Sequence, residues 1–294
     1  MDRLTVAIFS YNRGTYLENC VASVRRNLPD VAIRVYDDNS SDPPTLAVLA
    51  RLQLPVLQPG QHSGARHGGL YVNMAAALSD ARTPLILFLQ EDMQVVRPVG
   101  AADLDRIEAV FAENDRRAFV CPNFMKATSL GRYQARMLPN ESLRAYLGRP
   151  DDPQRIAYLD VTVGHVGRLR DADWAFGPTE RSANSRARTM FADVPYLGDP
   201  FIFYCPEVPI YRNRHQSLSS RIAARLTGTD VKAYHDLDGT ETARLLARPL
   251  TDWPVAEDWL RPLNPRVRRP FVYKDVKVRW WLNLLNKAER WRKQ

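Results

Sequence analysis

The sequence predicts an α/β domain built on a mainly parallel sheet flanked by helices, and three observations predict it. Short apolar runs alternate with amphipathic stretches through the first hundred residues, the order expected of βαβ units. The stretch "LILFLQED" carries a continuous apolar run straight into Glu91 and Asp92, as a strand buried on both faces does when it emerges at a sheet edge. Acidic and polar clusters follow the strands directly, at the edge where open α/β sheets bind ligands.

Taken in order, "LTVAIFS" reads as the first strand and Gly14 to Leu28 as a helix, with Leu17, Val21 and Val24 on one face. "VAIRVYDD" is the second strand. "SDPPTLAVLARL" reads as a helix capped by Ser41 or Asp42, with prolines tolerated in its first turn. "LPVLQP" reads as a third strand, "GGLYVNMAAALSDA" as a helix and "PLILFLQED" as the fourth strand. Between residues 100 and 165 the pattern weakens to a helix near Asp103 to Asn114, a strand at "AFVCP" and a loop-rich stretch. A polar helix from Glu180 to Phe191 and a strand at "PFIFYCP" follow. The Pro-rich "RPLNPRVRRP" closes the main domain near residue 265. The expected organisation is one domain over 1–265, in two halves at 1–99 and 100–265, and a basic amphipathic tail at 266–294.

The 294 residues suffice for a sizeable core, and 45% apolar with 25% charged residues is ordinary for a globular chain. No run approaches the roughly 20 apolar residues that span a bilayer, and "MDRLTVAIFS" does not read as a signal peptide. The expected location is therefore the cytoplasm. Cys20, Cys121 and Cys205 are widely separated and without CxxC spacing, so buried free thiols are expected rather than disulfides or a zinc cluster. The net charge of +8 is concentrated. From Arg266 to Gln294 there are ten Lys or Arg against Asp275 and Glu289, and the rest of the chain is balanced at 31 of each sign. That pattern speaks against a nucleic-acid-binding face.

Four motifs in order, "FSYNR", "DDNSSD", "GARHGG" and "LQED", resemble the nucleotide-sugar half of a GT-A glycosyltransferase, specifically the inverting enzymes of family 2. The resemblance covers residues 3 to 95 well and 160 to 220 loosely. It implies a Rossmann-like GT-A fold and transfer of a sugar from a nucleotide donor, with uridine diphosphate the expected carrier, to a glycan or lipid-linked acceptor. Carried over residue by residue, it puts Ser10, Tyr11 and Arg13 of "FSYNR" at the donor. Tyr11 then stacks on the uracil ring, and Asp38 accepts the base's N3 hydrogen. Arg66 is expected at the base or diphosphate, although His67 stands where the family has Asn. Asp92 takes the place of the family's metal-binding Asp, and Glu91 that of a sugar or ribose contact. Gln90 replaces the usual first Asp with a neutral carbonyl. The implied cofactor is a divalent cation, Mn2+ or Mg2+, balancing the charge of the departing diphosphate.

Inversion requires one general base for the acceptor hydroxyl. The resemblance puts that carboxylate at a helix start before a "Y-x-P" strand, which "YCPEVPIYRNRH" supplies, and so points to Glu180. Arg181 stands where the family has Asp; Asp173 and Asp199 are the reserves. His215 falls where related enzymes place a late histidine near the metal and diphosphate. The segment "VKVRWWLNLLNKAERWRK" sets Trp281, Leu284, Leu285, Ala288 and Trp291 on one helical face. Such a helix suits an anionic membrane interface, at the inner face of the plasma membrane, or a docked position on the domain. The competing class of function is a non-catalytic scaffold that binds nucleotide or membrane. The absence of a Gly-rich phosphate loop after the first strand speaks against a nucleotidyltransferase or a dinucleotide oxidoreductase.

Overall fold

The computed structural model describes residues 2–58, 69–205 and 233–265, together with residues 267, 281, 284 and 288. Strands β1 (Leu4–Ser10), β2 (Ala32–Asp37), β3 (Val56–Leu57) and β4 (Leu85–Gln90) run parallel, joined by α1 (Gly14–Asn27), α2 (Pro43–Arg51) and α3 (Gly69–Asp80). The chain continues through β5 (Met93–Val95), α4 (Ala101–Glu113), β6 (Phe119–Val120), α5 (Leu130–Arg136), β7 (Met137–Asn140) and β8 (Ala145–Gly148). It then forms β9 (Thr162–His165), α6 (Val166–Asp171), α7 (Glu180–Met190), β10 (Tyr196–Leu197) and β11 (Ile202–Tyr204). Helices α8 (Gly239–Ala247) and α9 (Ala256–Trp259) complete the described elements.

The main sheet has the order β3-β2-β1-β4-β9-β6, with β9 antiparallel to both its neighbours. Period-two alternation divides its side chains between two cores. Leu4, Val6 and Ile8 of β1 and Leu85, Leu87 and Leu89 of β4 pack with Leu17, Val21 and Val24 of α1 on one face. Ala7, Phe9, Ile86 and Phe88 pack with Met74, Ala77 and Leu78 of α3 on the other. This double coverage explains why β1 is buried along its whole length. All three cysteines are buried thiols.

The α/β class and the parallel strands of the first hundred residues agree with the sequence reading. Of the two candidate caps of α2, Asp42 takes the role, its carboxylate accepting the Thr45 N–H at 3.1 Å. Three local expectations need correction. The third strand shrinks to two residues because only Val56 and Leu57 pair with β2. The stretch read as loops holds α5 and the β7–β8 hairpin, joined by β10 in a three-stranded sheet. Strand β9, with glycine at its centre, was missed as well. Among the described residues no helix is long and apolar enough to cross a membrane. Of the tail, Trp281, Leu284 and Ala288 are helical, with Leu284 exposed. The rest of its proposed apolar face lies outside the described residues.

The starts of α1 and α2 approach so closely that only glycine fits at position 14: an added Cβ would lie 2.8 Å from Pro44 O and Thr45 Cα. Both obstacles are backbone, so a side chain must push apart the helices that follow the first two strands. Gly14→Ala is expected to destabilise the protein by about 1–3 kcal/mol, read as a lowered denaturant midpoint.

Candidate active site

The exits of β1, β2 and β4 lie side by side, with Ser10 opposite Asp37 and Phe9 opposite Gln90 in the ladder. The motifs after these strands therefore converge at the carboxyl edge of the sheet. Asn12, held at φ 52°, organises the convergence. Its side-chain Oδ1 accepts the N–H groups of Ser41 at 2.8 Å and Asp42 at 3.2 Å, and its own N–H donates to Ser40 Oγ at 2.9 Å. Ser40 in turn donates to Asp37 from both Oγ and N–H, at 2.6 and 2.8 Å. Asp37 is consumed by the loop. Asp38, the second of the pair, faces a small cleft lined by Ser10, Tyr11, Leu70, Asn73 and Glu91. Its Oδ1 accepts the Gly69 N–H at 2.8 Å, which ties the cleft to the start of α3.

Arg13 joins the first motif to the last. Its Nη1 donates to Asp92 Oδ2 at 2.9 Å and to Glu91 Oε1 at 3.3 Å, and its guanidinium lies 4.6 Å above the Tyr16 ring. Arg13 and Glu91 are buried, whereas Asp92 keeps a face toward a cavity of about 410 Å3. That cavity also carries Glu180, Lys126, Asp160 and the rings of Tyr133, Tyr196 and Tyr204. Glu180 opens α7 behind a Thr179 cap, placing its carboxylate beside the helix's free N–H groups.

Two expected site residues are thus in one cavity, Asp92 and Glu180, with Ser10, Tyr11, Asp38 and Glu91 in the adjoining cleft. Asp173 and Asp199 are in neither. Asp173 is exposed in the turn after α6, and Asp199 is buried in an ion cluster with Arg144 at 2.7 Å and Arg248 at 3.4 Å. Arg66 and His215 lie outside the described residues, as does His67.

Sequence reasoning missed Lys126 and Asp160. Lys126 Nζ sits 4.2 Å from the centre of the Tyr204 ring, and burial lowers its pKa against the opposing pull of Glu180. Asp160 accepts a hydrogen bond from the Tyr71 hydroxyl at 3.2 Å. Burial first, and the neighbouring Glu180 charge second, push its carboxyl up to about 6. Neither residue belongs to a recognisable motif; each follows a short strand or precedes one in the stretch where periodicity was weak.

A small cleft at the carboxyl edge of a parallel sheet, adjoining a carboxylate-lined cavity, lies where open α/β sheets bind ligands, in a fold of the GT-A type. The family model described as Glycosyl transferase family 2 matches residues 5–174, and the chain belongs to that family. No curated protein matches the chain. Among solved structures it is similar to TarS of S. aureus, at 15% identity and TM-score 0.46, over 83% of this chain and 42% of that one. It is also similar to glucosyl-3-phosphoglycerate synthase of Mycobacterium tuberculosis in complex with uridine diphosphate. There the identity is 15% and the TM-score 0.38, over 57% of this chain and 58% of the other. This chain thus spans less than half the length of the TarS structure.

The raised Asp160 carboxyl has a consequence for stability. A carboxyl that binds its proton more tightly when folded stabilises the fold at pH below the unfolded value, and that contribution is lost as pH rises through about 6. Asp160→Asn is therefore expected to raise stability at pH 7.5 by about 1–2 kcal/mol and to change it little at pH 4. Urea titrations at the two pH values measure it.

Proposed function

We propose that the chain transfers a sugar from a uridine diphosphate donor to a hydroxyl of a glycan or lipid-linked acceptor, with inversion. The observation that carries this reading is the placing of Asp92 and Glu180 on one cavity that adjoins the Asp38 cleft. In this reading Asp38 and Tyr11 take the base, and Ser10 and Glu91 the ribose side. The rings of Tyr133, Tyr196 and Tyr204 offer apolar faces to sugar C–H groups.

Among the described residues no three His, Cys, Asp or Glu form a metal cluster. Asp92 still fits a shared site, because a small hard cation is commonly held by one or two carboxylates, with substrate phosphates and water completing the shell. Bound there, Mn2+ or Mg2+ supplies positive charge to the departing diphosphate. Arg13 holds Asp92 in place at the cavity wall. Lys126 adds a cation on the same wall. Glu180 takes the acceptor's proton as the acceptor oxygen bonds to the anomeric carbon, while the bond to the diphosphate breaks and its electrons leave with the phosphate.

The test is release of nucleoside diphosphate from a panel of nucleotide sugars, with cation or chelator and with acceptor extracts. One donor is expected to turn over, to stop with chelator, and to lose at least about 100-fold with Glu180→Gln and comparably with Asp92→Ala. Silence across the panel, joined by calorimetry showing no cation-dependent nucleotide binding, would replace this reading with the non-catalytic scaffold.

For the tail we propose a peripheral membrane contact on the cytoplasmic side. Truncation after residue 265 is expected to abolish sedimentation with anionic vesicles while leaving DNA binding negligible in both forms. Retained sedimentation would assign the tail to docking on the domain.

A further inference from the structure

The cavity wall holds a second carboxylate with no task in the mechanism above. Asp160, at the entrance to β9, is half-buried and lines the same cavity as Glu180. Its backbone N–H donates to Glu180 Oε1 at 3.2 Å, so the two residues meet across a sequence separation of 20. The Tyr71 hydroxyl of α3 donates to Asp160 Oδ2, and the Tyr158 hydroxyl lies beside the same carboxylate. Asp160 Oδ1 is closed to solvent and meets no donor among the described residues. Facing the pair are Lys126 from the segment after β6 and, further round the cavity, Arg132 of α5 and Asp92.

We propose that Asp160 is a positioning residue for the base: its main chain holds the Glu180 carboxylate at the cavity wall, and its side chain sets a second carboxylate beside it. The proposal rests on the glycosyltransferase reading of the cavity. Burial first, and the Glu180 charge second, push the Asp160 carboxyl up to about 6. Above that pH a second negative charge stands next to Glu180 and adds to the pull on the acceptor's proton.

Two measurements on the full chain test this. The first is a carboxyl 13C NMR titration of substrate-free wild type and Glu180→Gln. Removing the neighbouring charge is expected to move the Asp160 titration down toward the usual aspartate range. Glu180 is exposed at the first turn of α7, so this arm does not depend on a core substitution being tolerated. The second is the pH dependence of kcat for wild type and Asp160→Asn. The variant is expected to lose the inflection near pH 6, to keep its donor KM, and to fall in plateau rate by about three- to tenfold.

An unmoved Asp160 titration in Glu180→Gln, or an inflection kept in Asp160→Asn, would overturn the proposal. So would an Asp160→Asn variant as inactive as Glu180→Gln at every pH, since Asp160 would then be taking the proton itself. Intact coupling by NMR without turnover in any form would instead overturn the transferase reading on which the proposal depends.

Discussion

Glu91 and Asp92 put two adjacent carboxylates at the exit of a fully buried strand, and the sheet tolerates them there because Arg13 lies between them. A carboxylate as buried as Glu91 would bear a large desolvation cost without a cation in contact. The cation comes from the turn after β1, the neighbouring strand, so one interaction holds the exits of β1 and β4 together. Asn12, one residue earlier, does the same for β1 and β2 by capping the Ser41 and Asp42 N–H groups. With these two side chains in place Asp38 and Asp92 point outward, one into the cleft and one into the cavity. Gly14 then lets α1 start against α2 without displacing either.

The first hundred residues were legible because their physics is local. Apolar runs of strand length, helical spacing of Leu17, Val21 and Val24, and acidic or polar clusters after the strands all arise within a few residues of one another. Even the choice of Asp38 over Asp37 has a local cause: Ser40 sits three residues after Asp37, within reach of its carboxylate in a tight turn. What failed there was length, as with β3, where only Val56 and Leu57 are in register with β2.

Residues 100 to 265 were less legible because their elements are defined by distant partners. Strand β9 pairs with β4 and β6, and its Gly164 offers no apolar signal; it is there because Phe88 and Leu169 occupy the space a side chain would take. The β7–β8 hairpin carries Pro139 and Asn140, residues that depress a strand reading, yet it is fixed by β10 on its other side. Asp199 stood as a reserve for the general base. Its neighbours Arg144 and Arg248 come from 55 and 49 residues away, and turn it into a buried structural anion.

The same long-range logic decides how charge is shared in the cavity. Glu180 pulls on Lys126 against the burial that lowers the lysine. Asp160 meets no comparable cation among the described residues: tyrosine hydroxyls face its carboxylate, burial disfavours its charge and Glu180 repels it. Its carboxyl is therefore pushed up while Glu180 stands at the helix start on the cavity. Arg181, one residue further along α7, is exposed and supplies no second acid. The second carboxylate at this helix start is thus contributed by the segment before β9, through an arrangement that only the folded chain brings together.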